Sequence, residues 1–224
     1  MSTNAGPRFE GFPLGGVDFY RGLSANNSKT YWAKHRAQYE TDLKIPMESL
    51  TYELADEFGQ FKIFRPYRDV RFSKDKSPYK THLGAVTEGD GGEFYYLQMS
   101  ANGLVVGTGY YQMAKDQLVR FRSAVDDDGA GEDLEARIKK LRRRYEFHGK
   151  ELATAPRGYP RDHKRVWLLQ HKGLTAHRSF GTPKWLQTRQ ALPRVAATWR
   201  GAALMNEWLN EHVGPSTEAP AEGP

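Results

Sequence analysis

The chain has no cysteine, which excludes disulfide staples, thiolate metal sites and cysteine nucleophiles. No stretch approaches the roughly 18 consecutive apolar residues that a membrane-spanning helix requires. A GxxxxGK[ST] phosphate loop, an HExxH zinc signature and a GxSxG nucleophile elbow are all missing, so the best-marked nucleotide, metalloprotease and serine-hydrolase chemistries have no sequence support. No repeat occurs at solenoid or propeller periods. The opening "MSTNAGPRFEGFP" has no apolar run behind a basic start, so no secretory signal and a cytoplasmic location are expected.

What remains is enough for a packed protein. The 224 residues are 38% hydrophobic and 12% aromatic, with 27% charged, which predicts a real core under a polar surface. The net charge of +6 permits an anionic partner without requiring one.

Pattern predicts helices first. Ser28 caps "NNSKTYWAKHRAQYETDL", in which Tyr31, Trp32, His35 and Tyr39 recur at helical spacing. Asn26 and Asn27 precede that helix, and their expected role is capping and packing. Pro46 opens "PMESLTYELADEFGQ", with Met47, Leu50, Leu54 and Phe58 on one stripe.

The period then changes. "THLGAVTE" reads as a strand, and residues 93–113 as a hairpin whose turn is the positive-φ pair Asn102-Gly103. Helices resume with Leu118, Phe121 and Val125 in register, followed by an acidic link "DDDGAGE" and a stripe of Leu134, Ile138, Leu141 and Tyr145. Asp162 is expected to cap a helix "HKRVWLLQHKG", "LTAHRSFG" reads as a strand, and the last helical stretch is interrupted at Pro193. The expected fold is α+β: an N-terminal helical segment, a central mainly antiparallel sheet and C-terminal helices. Residues 9–213 are expected to form a single domain, with disordered ends at 1–8 and 214–224.

The segment "RDVRFSKDKSPYKTH", Arg68 to His82, is the chief functional candidate. Its period splits it into a strand anchored by Val70 and Phe72, a turn before Pro78, and a second extended run. Ser73, Lys74, Lys76 and Ser77 project from the turn, and such a turn can cradle an oxyanion or phosphate.

"GFPLGGVDFYRGLSANNSKTYWAKHRAQYE", "RDVRFSKDKSPYKTHLGA", "GTGYY" and "PRGYPRDH" in this order resemble the family called domain of unknown function 2461. The resemblance covers about Phe9 to Trp208 and implies a single intracellular α+β domain with the Arg68–His82 segment as its hallmark. It implies no activity, substrate or cofactor. One departure is Lys164, where similar proteins tend to continue with proline.

The leading expectation is a pocket for a small phosphate- or carboxylate-bearing ligand. Arg68, Arg71, Lys74, Lys76 and Lys80 would form its cationic wall. Arg71 would clamp, Asp69 would orient an arginine, Ser73 would donate, and Gly109 would allow close backbone approach. A second expectation is a phosphoester hydrolase or transferase on the same site, with His82, Asp75 or Asp162 moving protons. His82 is expected to titrate low beside the cationic turn. The third is a nucleic-acid or protein module using the outer face of "RIKKLRRR", Arg137 to Arg144. It is less favoured than a solvated helix face because no aromatic interleaves those cations. No metal or cofactor is expected, since the seven histidines show no ligand spacing.

Overall fold

The structure is a computed structural model, describing residues 7–71, 73–87 and 92–218. Most of the two expected disordered ends, 1–6 and 219–224, lies outside the described residues, as does Phe72. The order of elements is α1 (Leu14–Ala25), α2 (Lys29–Tyr39), a π turn (Glu40–Lys44), α3 (Ile45–Phe58), β1 (Phe61–Ile63), β2 (His82–Thr87), β3 (Phe94–Ser100) and β4 (Gly103–Tyr110). It continues with α4 (Lys115–Asp126), α5 (Asp128–Leu141), β5 (Glu146–Lys150), α6 (Val166–Leu169), β6 (His171–Gly181), a 3-10 turn (Lys184–Gln187), α7 (Ala191–Gly201) and α8 (Ala203–His212).

The fold is α+β, with N-terminal helices, a six-stranded sheet in the order β1-β2-β3-β4-β6-β5, and C-terminal helices. The β1–β2, β2–β3 and β5–β6 pairs are antiparallel. The chain clusters into two compact units. The first comprises Met1–Glu88, Tyr96–Val106 and Ser179–Ala197, and the second Gly89–Tyr95, Gly107–Arg178 and Thr198–Pro224.

In the first unit the expected helical stripes are buried: Trp32 and Tyr39 on α2, and Met47, Leu50, Leu54 and Phe58 on α3. Ser28 Oγ accepts the Tyr31 N–H at 3.1 Å as the N-cap. Between α2 and α3 the helix does not stop. It widens to a π turn just before Pro46, which has no N–H to give to a carbonyl one turn back. Leu83, Ala85, Leu97 and Met99 alternate into the core from β2 and β3. The start of the fold is pinned by Arg189, whose guanidinium donates to the Phe9 carbonyl at 2.8 Å and chelates Glu53 at 2.9 and 2.6 Å.

The hairpin turn differs from expectation in one detail. Gly103 alone takes positive φ, at 88°, while Asn102 stays in the ordinary region. A Cβ on Gly103 would meet the Gly181 carbonyl oxygen at 1.9 Å, so the glycine meets a packing demand as well as a turn demand.

The second unit has its own core, including Phe121, Val125, Leu134, Ile138, Leu174, Met205 and Trp208. Here four expectations are corrected. The acidic link is helical: α5 begins at Asp128, capped by Asp127, whose carboxylate accepts the Ala130 N–H at 2.8 Å. Asp162 caps nothing, because the helix after it is only Val166–Leu169 with Arg165 at its N-cap. β6 starts at His171 rather than after Gly173, since Lys172 already accepts the Met113 N–H at 2.8 Å. The C-terminal helix breaks at Ala202 between α7 and α8, not at Pro193, which sits in the first turn of α7 where no N–H is needed.

Arg165 ties this unit together. It is 0% exposed, and its Nε donates to the Val125 carbonyl at 2.6 Å. Its Nη2 donates to the Asp126 and Asp127 carbonyls at 2.9 and 3.0 Å and to the Asp128 carboxylate at 3.1 Å. One guanidinium thus satisfies the orphan carbonyls at the end of α4 and the acid opening α5. Gly131 makes room for it, since a Cβ there would lie 2.4 Å from Arg165 Nε.

Candidate functional site

The Arg68–His82 segment is a loop closed at its base by a short antiparallel bridge in the first unit. Tyr67 pairs with Tyr79, the Arg68 N–H donates to the Pro78 carbonyl at 3.0 Å, and the Lys80 N–H to the Pro66 carbonyl at 2.8 Å. Tyr79 stacks on Trp32 with ring centroids 4.3 Å apart and planes at 8°. Asn27 supplies a second hold. Its side-chain amide donates to the Tyr79 carbonyl at 2.9 Å and accepts the Tyr79 N–H at 3.2 Å, in the manner of a strand neighbour. Asn27 therefore ties the loop base to the corner before α2 instead of capping the helix.

Inside the loop, the acids engage the arginines. Asp69 accepts Arg71 Nη2 at 2.6 Å and Nε at 3.0 Å, and also the Arg71 backbone N–H at 3.1 Å. Asp75 pairs with the Arg68 guanidinium and accepts the Ser77 hydroxyl at 2.6 Å and the Ser77 N–H at 2.9 Å. The Ser77 hydroxyl in turn accepts Arg68 at 2.8 Å. These bonds hold both carboxyls far below their usual range, each at about 2: Asp69 chiefly through Arg71, Asp75 chiefly through Ser77 and then Arg68. Lys76 Nζ donates to the Val70 carbonyl at 2.9 Å. Ser73 and Lys74 make no hydrogen bond or ion pair with a described residue. Lys74 is exposed, and the Arg71 side chain is 73% exposed.

Lys80 is different. It is half-buried, its ammonium lies 5.1 Å from the centroid of the Phe64 ring, and that ammonium forms no hydrogen bond or ion pair with a described residue. Burial and then the charge of Arg65 lower its pKa. His82, two residues on, begins one face of β2 and is also lowered, first by burial and then by Lys80. It lines a polar depression of about 200 Å³ with Ser24, Thr81, Gln98, Ser100 and Asn102. Gly84 follows on that face, and Phe64 occupies the space a side chain would take, 2.8 Å from a Cβ placed there.

Two expected members lie in the second unit. Gly109 has φ 131°, and a Cβ there would meet the Leu174 carbonyl oxygen at 2.3 Å, so its close approach is to strand β6. Asp162 is an exposed loop residue. The neighbouring His163 accepts the Arg165 N–H on Nδ1 at 3.0 Å, which leaves Nε2–H to donate to Asp126 at 3.0 Å. Among the described residues no three His, Asp or Glu side chains come together to hold a metal ion.

Sequence reasoning missed a second polar site in that unit. His148 and His177 meet edge to face at 4.9 Å in a depression of about 250 Å³ with Tyr111, Lys150, Glu151 and Thr175. The β5–β6 ladder shifts register between His148 and Lys150 there. Burial, then His148, pushes His177 down to about 4, and its Nε2 lies 3.0 Å from the Thr175 hydroxyl. Strand β5 was hidden because it follows α5 with no breaker and alternates at the surface.

Residues 16–208 match the family model described as conserved hypothetical protein (DUF2461). Neither the curated proteins nor the solved structures contain a match. No helix among the described residues is long and apolar enough to cross a membrane.

Proposed function

Because the chain belongs to the domain of unknown function 2461 family, which brings no reaction with it, we propose from the geometry that it binds a small phosphate- or carboxylate-bearing ligand, with Lys80 as its anchor. The observation that carries this reading is a half-buried ammonium over the Phe64 ring with no carboxylate partner among the described residues, its pKa lowered by burial and then by a second cation, Arg65. A buried cation held near another cation is electrostatically incomplete, and an anion completes it. Its pKa would rise on binding. Arg68 and Arg71 serve the loop itself through Asp75 and Asp69, so their part is to hold the Lys80 backbone in place. Arg65, with the hydroxyls and amides around His82, supplies further donors.

The test is a thermal-shift and calorimetric series with inorganic phosphate, pyrophosphate and citrate at rising salt. A salt-sensitive stabilisation that Lys80→Met abolishes and Arg71→Ala leaves in place is the expected result. No shift with any of the three at low salt, or a shift that Lys80→Met leaves unchanged, overturns it.

A further inference from the structure

The basic run after Arg137 has no aromatic between its cations, but the fold brings one to it. Trp167, on α6, lies beneath Arg142, whose guanidinium sits 4.9 Å from the indole centroid. Together with Glu135, Ile138 and Lys139 they line a groove of about 530 Å³. Trp167 Nε1 donates to Glu135 at 3.2 Å, which fixes the ring in the groove wall.

Charge in this stretch is distributed unevenly. Arg137 pairs with Asp133 at 2.8 Å and Glu207 at 3.5 Å and donates to the Leu204 carbonyl at 2.7 Å. Lys139, Lys140, Arg142, Arg143 and Arg144 are all exposed, and none of their side chains forms a hydrogen bond or ion pair with a described residue. The carbonyl end of α5 attracts the two lysines of its last turn. That attraction fades beyond the turn and gives no reason for three consecutive arginines after it. A cluster of like charges repels itself unless a polyanion neutralises it.

We propose that this groove binds single-stranded nucleic acid. Lys139 and Arg143 meet phosphates, and a base stacks with the Trp167–Arg142 pair. Glu135 has one oxygen on Trp167 and the other available to accept from an exocyclic base amine, as carboxylates do with cytosine. That carboxylate also separates the two polyanions that fit the charge. An acidic peptide brings carboxylates toward Glu135 and is repelled, whereas a base brings a donor.

The experiment is fluorescence anisotropy of labelled oligocytidylate and oligouridylate against the full chain, from about 50 to 200 mM salt. Expected are binding that weakens with a log–log salt slope near −0.7 per phosphate contacted, and a preference for oligocytidylate that Glu135→Gln reduces. Arg142→Gln should weaken binding about tenfold. Trp167→Phe keeps an apolar ring in the wall and should lose less than Arg142→Gln, with unchanged circular dichroism. No anisotropy change at the lowest salt, oligonucleotide binding indifferent to Arg142→Gln, or tighter binding of polyglutamate than of either oligonucleotide would each overturn the proposal.

Discussion

Two basic stretches, one in each unit, carry five cations each and dispose of them differently. Between Arg68 and Lys80 the acids are interleaved with the cations. Asp69 is two residues from the arginine it chelates, and Asp75 reaches back across the loop to Arg68. Between Lys139 and Arg144 no acid is interleaved, and the nearby carboxylates are drawn to Arg137, Lys164 and Arg165 instead. The first stretch is folded by its charges, with two cations left without a partner among the described residues, Lys74 in solvent and Lys80 half-buried. The second is folded by its apolar stripe and leaves five over. Density of charge in a sequence therefore says little about the charge available to a partner. The spacing of the opposite sign says more.

That contrast can be broken from the anchors outward. The largest effect should come from the buried guanidinium of the second unit. Arg165→Met takes the guanidinium from the Val125 and Asp126 carbonyls, leaves the Asp127 carbonyl with the Gly131 N–H and Asp128 with Lys164, and should destabilise by about 3 kcal/mol in urea unfolding. Retention of wild-type stability would show that the α4–α5 corner does not depend on it. Next is the anchor of the first unit. Asn27→Ala removes both bonds to the Tyr79 backbone and should cost about 1–2 kcal/mol, with faster exchange of the Tyr79 amide. Unchanged exchange would mean the Trp32 stack alone holds the loop.

Smaller effects concern protonation. Asp69 and Asp75 are lowered to about 2, below their values in an unfolded chain. Whatever their bonds contribute is therefore present above about pH 4 and is lost as pH falls through about 2. Carboxyl NMR titration should find both midpoints near 2, and ordinary midpoints would mean the loop pairs do not form in solution. His177 is lowered to about 4, so its neutral form contributes stability above an unfolded value of roughly 6.5, and that contribution falls away toward pH 4. Its ring proton shift should move with a midpoint near 4. Smallest of all, Lys74→Ala should leave stability unchanged within about 0.5 kcal/mol, being an exposed substitution with no partner to lose.

The legible parts of the fold are those that local pattern dictates. The α3 stripe from Met47 to Phe58 and the two apolar-aromatic hairpin strands on either side of the Asn102-Gly103 turn are found in the structure as the sequence predicts. The illegible parts have tertiary causes. "DGAGED" is helical because Asp127 caps it and Gly131 admits a guanidinium from thirty-odd residues later, a fit no window of sequence contains. At the candidate site the sequence marks the segment but not which cation is left unpaired. Alternation puts His82 and Gly84 on one face of β2, and Lys80 lies just before the strand. The Arg68–Asp75 pair and the Phe64 ring under Lys80 depend on how the loop closes. Trp167 under Arg142 is a longer-range case of the same kind.

The central claim is that Lys80, and not the arginines of the loop, is the cation waiting for an anion. Its most direct test is the Lys80 side-chain titration followed by carbon-13 NMR, without ligand and with saturating pyrophosphate. The expected result is a midpoint below the ordinary lysine value in the free protein, moving upward when pyrophosphate is added. A Lys80 that titrates at the ordinary value and ignores pyrophosphate would contradict the claim.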